Sequence, residues 1–211
     1  MASLFLQMRQ DLCHTPQSVA HVLLVFLSLI VAFGLLSSNH PTLWQAFLPT
    51  LLMGLSYGMI SLSLDQLFRE DWEDGTLEWR VSEETSLETY VLGKILTHWI
   101  RLGIPLTGII GVISGFGSPA LLLGVAATTL TLTLLGAIGS ALCLNTKVNA
   151  SILLPLLTLP LGIPMMVVSM ATISDPTATL SSYLALQGGL LLMACALSLM
   201  VCPFALRLAL R

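Results

Sequence analysis

PALLLGVAATTLTLTLLGAIGSAL, residues 119–142, is a long run of sequence without a charged side chain. The hydrocarbon core of a bilayer requires roughly 20 such residues in an α-helix. Five further stretches of similar character lie on either side, at 20–37, 44–64, 94–114, 150–172 and 181–206. The sequence therefore predicts an all-α, polytopic membrane protein with about six transmembrane helices, forming a single transmembrane domain over residues 1–211.

The composition favours lipid over water as the main surroundings. Apolar residues make up 55% of the chain and charged residues 9%, whereas soluble domains carry charge on about a quarter of their residues. We therefore expect membrane lipid to contact most of the surface, and we expect no nucleic-acid partner.

The basic residues predict the orientation in the membrane. The short connections near 38–43, 115–118 and 173–180 contain no Lys or Arg, and all eight basic residues lie at or near the opposite ends of the spans. Because Lys and Arg favour the cytoplasmic side, both termini are predicted to be cytoplasmic. Residues 1–16 separate apolar and polar side chains onto two faces, which predicts an amphipathic helix in the membrane interface.

Charge is concentrated in the connection between the second and third predicted spans, residues 65–93. Nine of the eleven acidic residues of the chain lie here. Apolar residues from Leu64 to Trp72 recur at helical spacing, and Asp74 with Gly75 is a turn signal. Apolar side chains ringed by charge are typical of a docking surface. We predict a folded cytoplasmic segment that binds a protein partner, with a simple connector as the alternative.

The end of this connection predicts where the third span begins. Thr85 and Glu88 have the spacing of a capping box, in which two side chains bond the first free backbone groups of a helix. A helix beginning there would run directly into the third span.

The residues indicate no catalytic centre. No Asp or Glu lies well inside a predicted span, and the four cysteines show neither a C-x-x-C pair nor zinc-ligand spacing. Gly93 and Lys94 lack the earlier glycine and the following Ser or Thr of a phosphate-binding loop. We predict no metal site and no enzymatic activity, so any ATP hydrolysis must belong to another chain.

Several blocks of the sequence resemble one known family. They are Leu67-Phe68-Arg69-Glu70-Asp71, then Asp74-Gly75-Thr76-Leu77-Glu78, then Lys94, His98, Trp99, Gly103 and Pro105, and finally Pro160 and Pro164 in the fifth span. In these residues the chain resembles haem exporter protein B (CcmB), an ABC-2 type permease subunit of the cytochrome c maturation system.

The resemblance implies a permease of the bacterial inner membrane with haem as its substrate. It implies a separate ATP-binding subunit that carries ATP, other membrane subunits of the maturation complex, and a second permease copy or a related permease. Residues 65–93 would be the segment that couples to the ATPase. The candidate coupling residues are Phe68, Arg69, Glu70, Asp71, Asp74, Gly75, Leu77 and Glu78.

Within this set we expect the charged members to orient the contact and the apolar members to supply its affinity. Pro105, Pro160 and Pro164 are predicted to bend their helices. No haem contact is assigned, and His98 is expected to be a hydrogen-bonded residue at a helix end.

Two other functions are compatible with the sequence. The chain could be an assembly scaffold in the same complex, where ATP hydrolysis releases a haem-loaded chaperone and no haem crosses this subunit. It could also be an ABC-2 exporter of a different substrate.

Overall fold

The computed structural model describes residues 16–36, 41–78, 87–114, 119–144, 150–174 and 180–210. Across these ranges the regular structure is helical and contains no strand. The elements in chain order are α1 (Pro16–Leu36), α2 (Pro41–Leu64), α3 (Arg69–Glu73), α4 (Leu87–His98), a π-helical segment (Trp99–Gly103), α5 (Ile104–Ile113), α6 (Pro119–Cys143), α7 (Ala150–Ser174) and α8 (Leu180–Ala209).

Five stretches of the described chain are long and apolar enough to cross a membrane. They are Ala46–Glu73, Leu87–Ile113, Leu122–Cys143, Leu153–Ala171 and Tyr183–Ala209. The first predicted span corresponds to α1, in which Ala20–Leu36 is a shorter apolar helix. The prediction of an all-helical polytopic membrane protein is confirmed.

Two parts of that prediction are not tested by the fold. The interfacial helix predicted for residues 1–16 lies outside the described residues except at its last position. The cytoplasmic location of both termini stays a prediction.

The third span begins earlier than its apolar pattern indicates. The helix starts at Leu87 and continues through α4, the π-helical segment and α5 to Ile113, whereas hydropathy alone predicts a start at residue 94. The expectation that a helix beginning at the predicted capping box runs directly into this span is confirmed from Leu87 onward, while Thr85 of the capping box lies outside the described residues. The third span therefore begins closer in the chain to residues 65–78 than its hydropathy indicates.

Helix α6 is the centre of the bundle. In its apolar window 72% of the residues are buried within the protein, against 28% to 44% in the other four spans. It contacts α2, α5, α7 and α8. A Cβ atom on Gly136 would overlap the side chain of Leu64, and one on Gly139 would lie 2.9 Å from Thr158 Cγ2. Glycine at these two positions allows α2 and α7 to pack closely against α6.

The prolines lie within helices that continue through them. Pro160 and Pro164 are inside α7, and Pro105 is the second residue of α5, just beyond the π-helical segment. Proline has no N–H and its ring crowds the carbonyl four residues earlier, so a widened π turn before Pro105 relieves that crowding. The predicted bends at these three residues stay predictions.

Candidate functional site: an acidic segment attached to the third span

The chain turns sharply after α2 and folds into a compact segment, residues 65–78, which we call the acidic segment. A turn bond from the Leu67 amide to the Leu64 carbonyl, 3.1 Å long, begins it, and α3 follows. Gly75 has a φ of 73°, in the left-handed region that L-residues with a side chain rarely adopt. The turn predicted at Asp74 and Gly75 is confirmed, and Gly75 allows the chain to reverse between α3 and the helical residues 76–78.

The apolar residues of the acidic segment face the protein. Phe68 and Leu77 are both 0% exposed, and the ring of Phe68 packs at a tilt against Tyr90 of α4, with a centroid distance of 6.4 Å. Trp72 is partly buried against the same core. The expectation that Phe68 and Leu77 supply affinity for a partner stays a prediction, and within this chain both side chains are buried. They form the core of the segment, because burying them against α4 removes their apolar surface from water.

Asp71 joins the acidic segment to the third span. Its two carboxylate oxygens lie 3.0 and 2.9 Å from Lys94 Nζ, and its Oδ2 also accepts a hydrogen bond from the Tyr90 hydroxyl. The side chains of Lys94 and Asp71 are only 13% and 20% exposed. We call Asp71, Tyr90 and Lys94 the clasp. Partial burial strengthens such a charge-assisted contact relative to an ion pair in open water.

The sequence analysis named Asp71 as a candidate coupling residue, and that role stays a prediction. Its carboxylate is directed into the protein, where a cation and a hydroxyl already bind it. The signal for this pairing was present in the sequence as Lys94, one of only two lysines, seated one helical turn after Tyr90. Nothing in the spacing indicated that Asp71 is its partner.

Four further acidic side chains cover the outer surface of the segment. Glu70, Glu73, Asp74 and Glu78 are all exposed, and we call these four carboxylates the acidic rim. The Thr76 hydroxyl donates to the backbone carbonyl of Asp71 at 3.2 Å and closes the turn from the outside. Of the eight predicted coupling residues, three thus lie in the rim, Phe68 and Leu77 are buried, Asp71 belongs to the clasp, Gly75 is at the turn and Arg69 is half-buried.

The π-helical segment lies one turn beyond the clasp in the third span. The Trp99 indole lies across Gly103, where a Cβ atom would overlap it. Its Nε1 donates to Thr129 Oγ1 of α6 at 3.1 Å, and the Thr107 hydroxyl donates to the Gly103 carbonyl at 2.8 Å. These contacts stabilise a π turn that is rare in isolation.

His98, directly before that segment, was expected to be hydrogen bonded at a helix end, and its Nε2 does not meet that expectation. Its Nε2 is buried and has no hydrogen-bond partner among the described residues.

A polar contact that the sequence analysis missed lies inside the bundle. Thr128 of α6 and Ser169 of α7 are hydrogen bonded through their hydroxyls, and Gln187 of α8 donates from Nε2 to Ser169 Oγ at 3.1 Å. All three side chains are buried. Acidic residues and histidines are the side chains that most readily indicate a polar site within a span. Uncharged hydroxyls and an amide spread over three helices did not indicate this contact in the sequence.

The fold and the site define a class of protein: a polytopic, all-helical integral membrane protein with a folded acidic segment attached to one span. The chain belongs to the CcmB protein family, whose sequence profile matches residues 59–211. The family resemblance of the sequence is thereby confirmed.

Curated relatives extend the similarity over nearly the whole chain. Heme exporter protein B of Pseudomonas aeruginosa is 34% identical over 204 residues, which covers 93% of this chain and 89% of the relative. Heme exporter protein B of Escherichia coli K12 is 32% identical over 214 residues, covering 98% and 94%. The protein of the same name from Haemophilus influenzae is 30% identical over 194 residues, covering 88% and 86%.

Proposed function

We propose that this chain is the permease subunit of an ABC-type complex that exports haem for cytochrome c maturation in the bacterial inner membrane. The relatives that share its length carry the name heme exporter protein B. Haem is then the substrate, and ATP is bound by a separate subunit. The observation that carries the proposal is the clasp, because it attaches a partner-facing acidic segment rigidly to a transmembrane helix.

The acidic rim is the surface we propose for contact with the ATP-binding subunit. Four carboxylates on one short segment create a negative potential that attracts a basic surface and fixes the orientation of docking. Their exposure leaves them available for that contact. Phe68 and Leu77 support the rim from beneath, so the partner meets a surface of defined shape.

Movement of the acidic segment is transmitted by the clasp. When the ATP-binding subunits close, a displacement of α3 is passed through Asp71 to Lys94 and Tyr90, and so to α4. From α4 the third span continues without interruption to Ile113. A rigid-body tilt of this span against α6 is the kind of motion by which such a contact changes access through a bundle.

The energy source is a different chain in this proposal. The sequence has only two lysines, Lys94 and Lys147, and neither stands in a phosphate-binding loop. Lys94 is also already bound to Asp71. We propose that the complex further contains other membrane subunits of the maturation system and a second permease body.

Reconstitution of the complex in liposomes tests this function. Complex co-purified in mild detergent is expected to accumulate haem on one side of the membrane when ATP is supplied on the other, and D71N is expected to reduce accumulation while the rate of ATP hydrolysis persists. Hydrolysis without any haem accumulation by the unmodified complex would contradict export and favour the scaffold function. Accumulation of a different compound, with none of haem, would favour another exporter.

A further inference from the structure

The contact among Thr128, Ser169 and Gln187 is unusual in being incompletely satisfied. Gln187 is 0% exposed, and its Oε1 is buried with no hydrogen-bond partner among the described residues. A buried amide oxygen without a partner destabilises the protein, since the group has lost its water and gained nothing in exchange. A methionine or leucine would fill the same volume without that cost, so packing alone does not explain a glutamine here.

A second polar contact in the same bundle provides a comparison. The Tyr57 hydroxyl lies 2.6 Å from the Pro155 carbonyl and 2.9 Å from Thr158 Oγ1, so it is fully bonded. Full hydrogen bonding is expected where polar side chains only hold two helices together. The contact at Gln187 differs because it leaves a hydrogen-bond acceptor without a partner among the described residues.

The position of Gln187 depends on a glycine in the facing helix. A Cβ atom on Gly124 would lie 2.9 Å from Gln187 Oε1, closer than the amide could tolerate. Gly124 also accepts the Thr128 hydroxyl bond through its carbonyl, at 2.8 Å. Helices α6 and α8 thus meet where a side-chain amide lies against bare backbone, and a small separation of the two would open the amide to a ligand.

The contact lies in the half of the bundle away from the acidic segment. Gly136 touches Leu64, at the base of that segment, and Thr128 is about 12 Å further along α6 at 1.5 Å per residue. Gln187 lies correspondingly near the start of α8, while Arg207 is in its last turn. In an exporter driven from the acidic end, this is the half through which a substrate leaves.

A primary amide with a free acceptor matches one chemical group in particular. It can donate one hydrogen bond and accept another side by side, and a protonated carboxyl group offers the complementary acceptor and donor. Inside a bilayer a carboxyl group is neutral, because desolvation raises its pKa. Haem bears two carboxyl groups on an otherwise apolar ring.

We propose that Gln187, assisted by the hydroxyls of Ser169 and Thr128, binds a carboxyl group of the substrate at the point where α8 parts from α6 and α7. This proposal rests on the function proposed above, because it takes haem as the compound that passes. In the closed arrangement Ser169 occupies the amide N–H, and the substrate carboxyl replaces it on opening. The amide thereby selects carboxyl-bearing rings over neutral ones.

Ligand titration with the full chain in lipid nanodiscs tests the site. The two probes are haem and its dimethyl ester, in which both carboxyl groups are blocked. We expect the unmodified chain to bind haem about tenfold more tightly than the ester, the magnitude that two hydrogen bonds supply. In Q187M the preference should fall to about one, with a thermal midpoint no lower than that of the unmodified chain.

Matched variants separate binding from packing. Ser198 lies on the same helix, and its buried hydroxyl donates to the Cys195 carbonyl of its own turn, so in S198A the preference for haem should remain that of the unmodified chain. S169A should lower the preference in part. Equal binding of haem and ester by the unmodified chain would overturn the site, as would a full preference in Q187M, whatever its stability. Failure of the chain to bind either compound above empty nanodiscs would instead contradict the proposed function.

Discussion

Asp71 and Lys94 stand 23 positions apart in the sequence and are joined by an ion pair, with Lys94 Nζ 2.9 Å from Asp71 Oδ2. One residue belongs to the short helix α3, which follows α2, and the other to the first turns of the third span. Because the pair ties the acidic segment to that span, we expect the two to move together. Coupling and transport are therefore expected to fail together when the clasp is broken.

Breaking the clasp should uncouple ATP hydrolysis from transport. D71N and K94M each remove the ion pair between Asp71 and Lys94 from a partly buried site, and we expect a loss of about 2 kcal/mol in stability, as for hydrogen bonds to charged groups. Haem accumulation per ATP hydrolysed should drop at least tenfold. E88Q, exposed on α4 outside the acidic rim, is the control and should leave both quantities unchanged. A D71N complex with normal accumulation per ATP would contradict this role.

The left-handed conformation of Gly75 should not tolerate a side chain. G75A places a Cβ in a region that costs about 1–2 kcal/mol for L-residues, although nothing crowds the position itself. We expect faster proteolysis of the acidic segment and weaker binding of the ATP-binding subunit, with membrane insertion intact. G75N should be milder, because asparagine adopts this conformation more readily than alanine. Equal protease resistance in G75A and the unmodified chain would show that the turn does not depend on glycine.

Neutralising the acidic rim should weaken association without altering the fold. The combined variant E70Q/E73Q/D74N/E78Q removes four exposed carboxylates, and we expect at least a tenfold lower affinity for the ATP-binding subunit, since exposed pairs contribute up to about 1 kcal/mol each. The salt dependence of binding should also diminish. E88Q, exposed on α4 outside the rim, is the matched control. Unchanged affinity and salt dependence would locate the docking surface elsewhere.

The π-helical segment should depend on the pairing of Trp99 with Gly103. G103A introduces a Cβ atom where the indole lies, so we expect a loss of about 1–3 kcal/mol in stability from overpacking. The double variant W99A/G103A should recover part of that loss, because the obstructing ring is gone. W99F keeps an aromatic ring but cannot donate to Thr129, so its stability should lie between that of the unmodified chain and that of G103A. Thermal unfolding in detergent measures all three, and additivity of W99A and G103A would contradict a direct clash.

The sequence predicted the features that depend on local composition. Long apolar runs gave the spans because a bilayer demands them, and Gly75 gave the turn because few other residues adopt its backbone conformation. The apolar residues of the acidic segment were predicted as a pattern, but their burial against α4 was not. Spacing indicates which residues share a face, and it does not indicate whether that face meets α4 or another chain.

Contacts between distant parts of the chain could not be predicted in this way. The Asp71–Lys94 pair and the meeting of Thr128, Ser169 and Gln187 depend on how whole helices are placed. The positions of close helix packing could not be predicted from the sequence either. Gly54 and Gly58 have the G-x-x-x-G spacing, yet an added Cβ on either meets no described atom within 4 Å, while Gly136 and Gly139 make the close approaches.

The most direct test of the coupling mechanism is to determine on which side of the membrane the acidic segment lies. A single-cysteine variant with Cys in place of the exposed Glu73, E73C, in a chain whose native cysteines are replaced by serine, is treated with a membrane-impermeant maleimide in intact spheroplasts. We predict no labelling until the membrane is permeabilised. Labelling of intact spheroplasts would place the acidic rim outside the cell, beyond the reach of any ATP-binding subunit, and would contradict the mechanism.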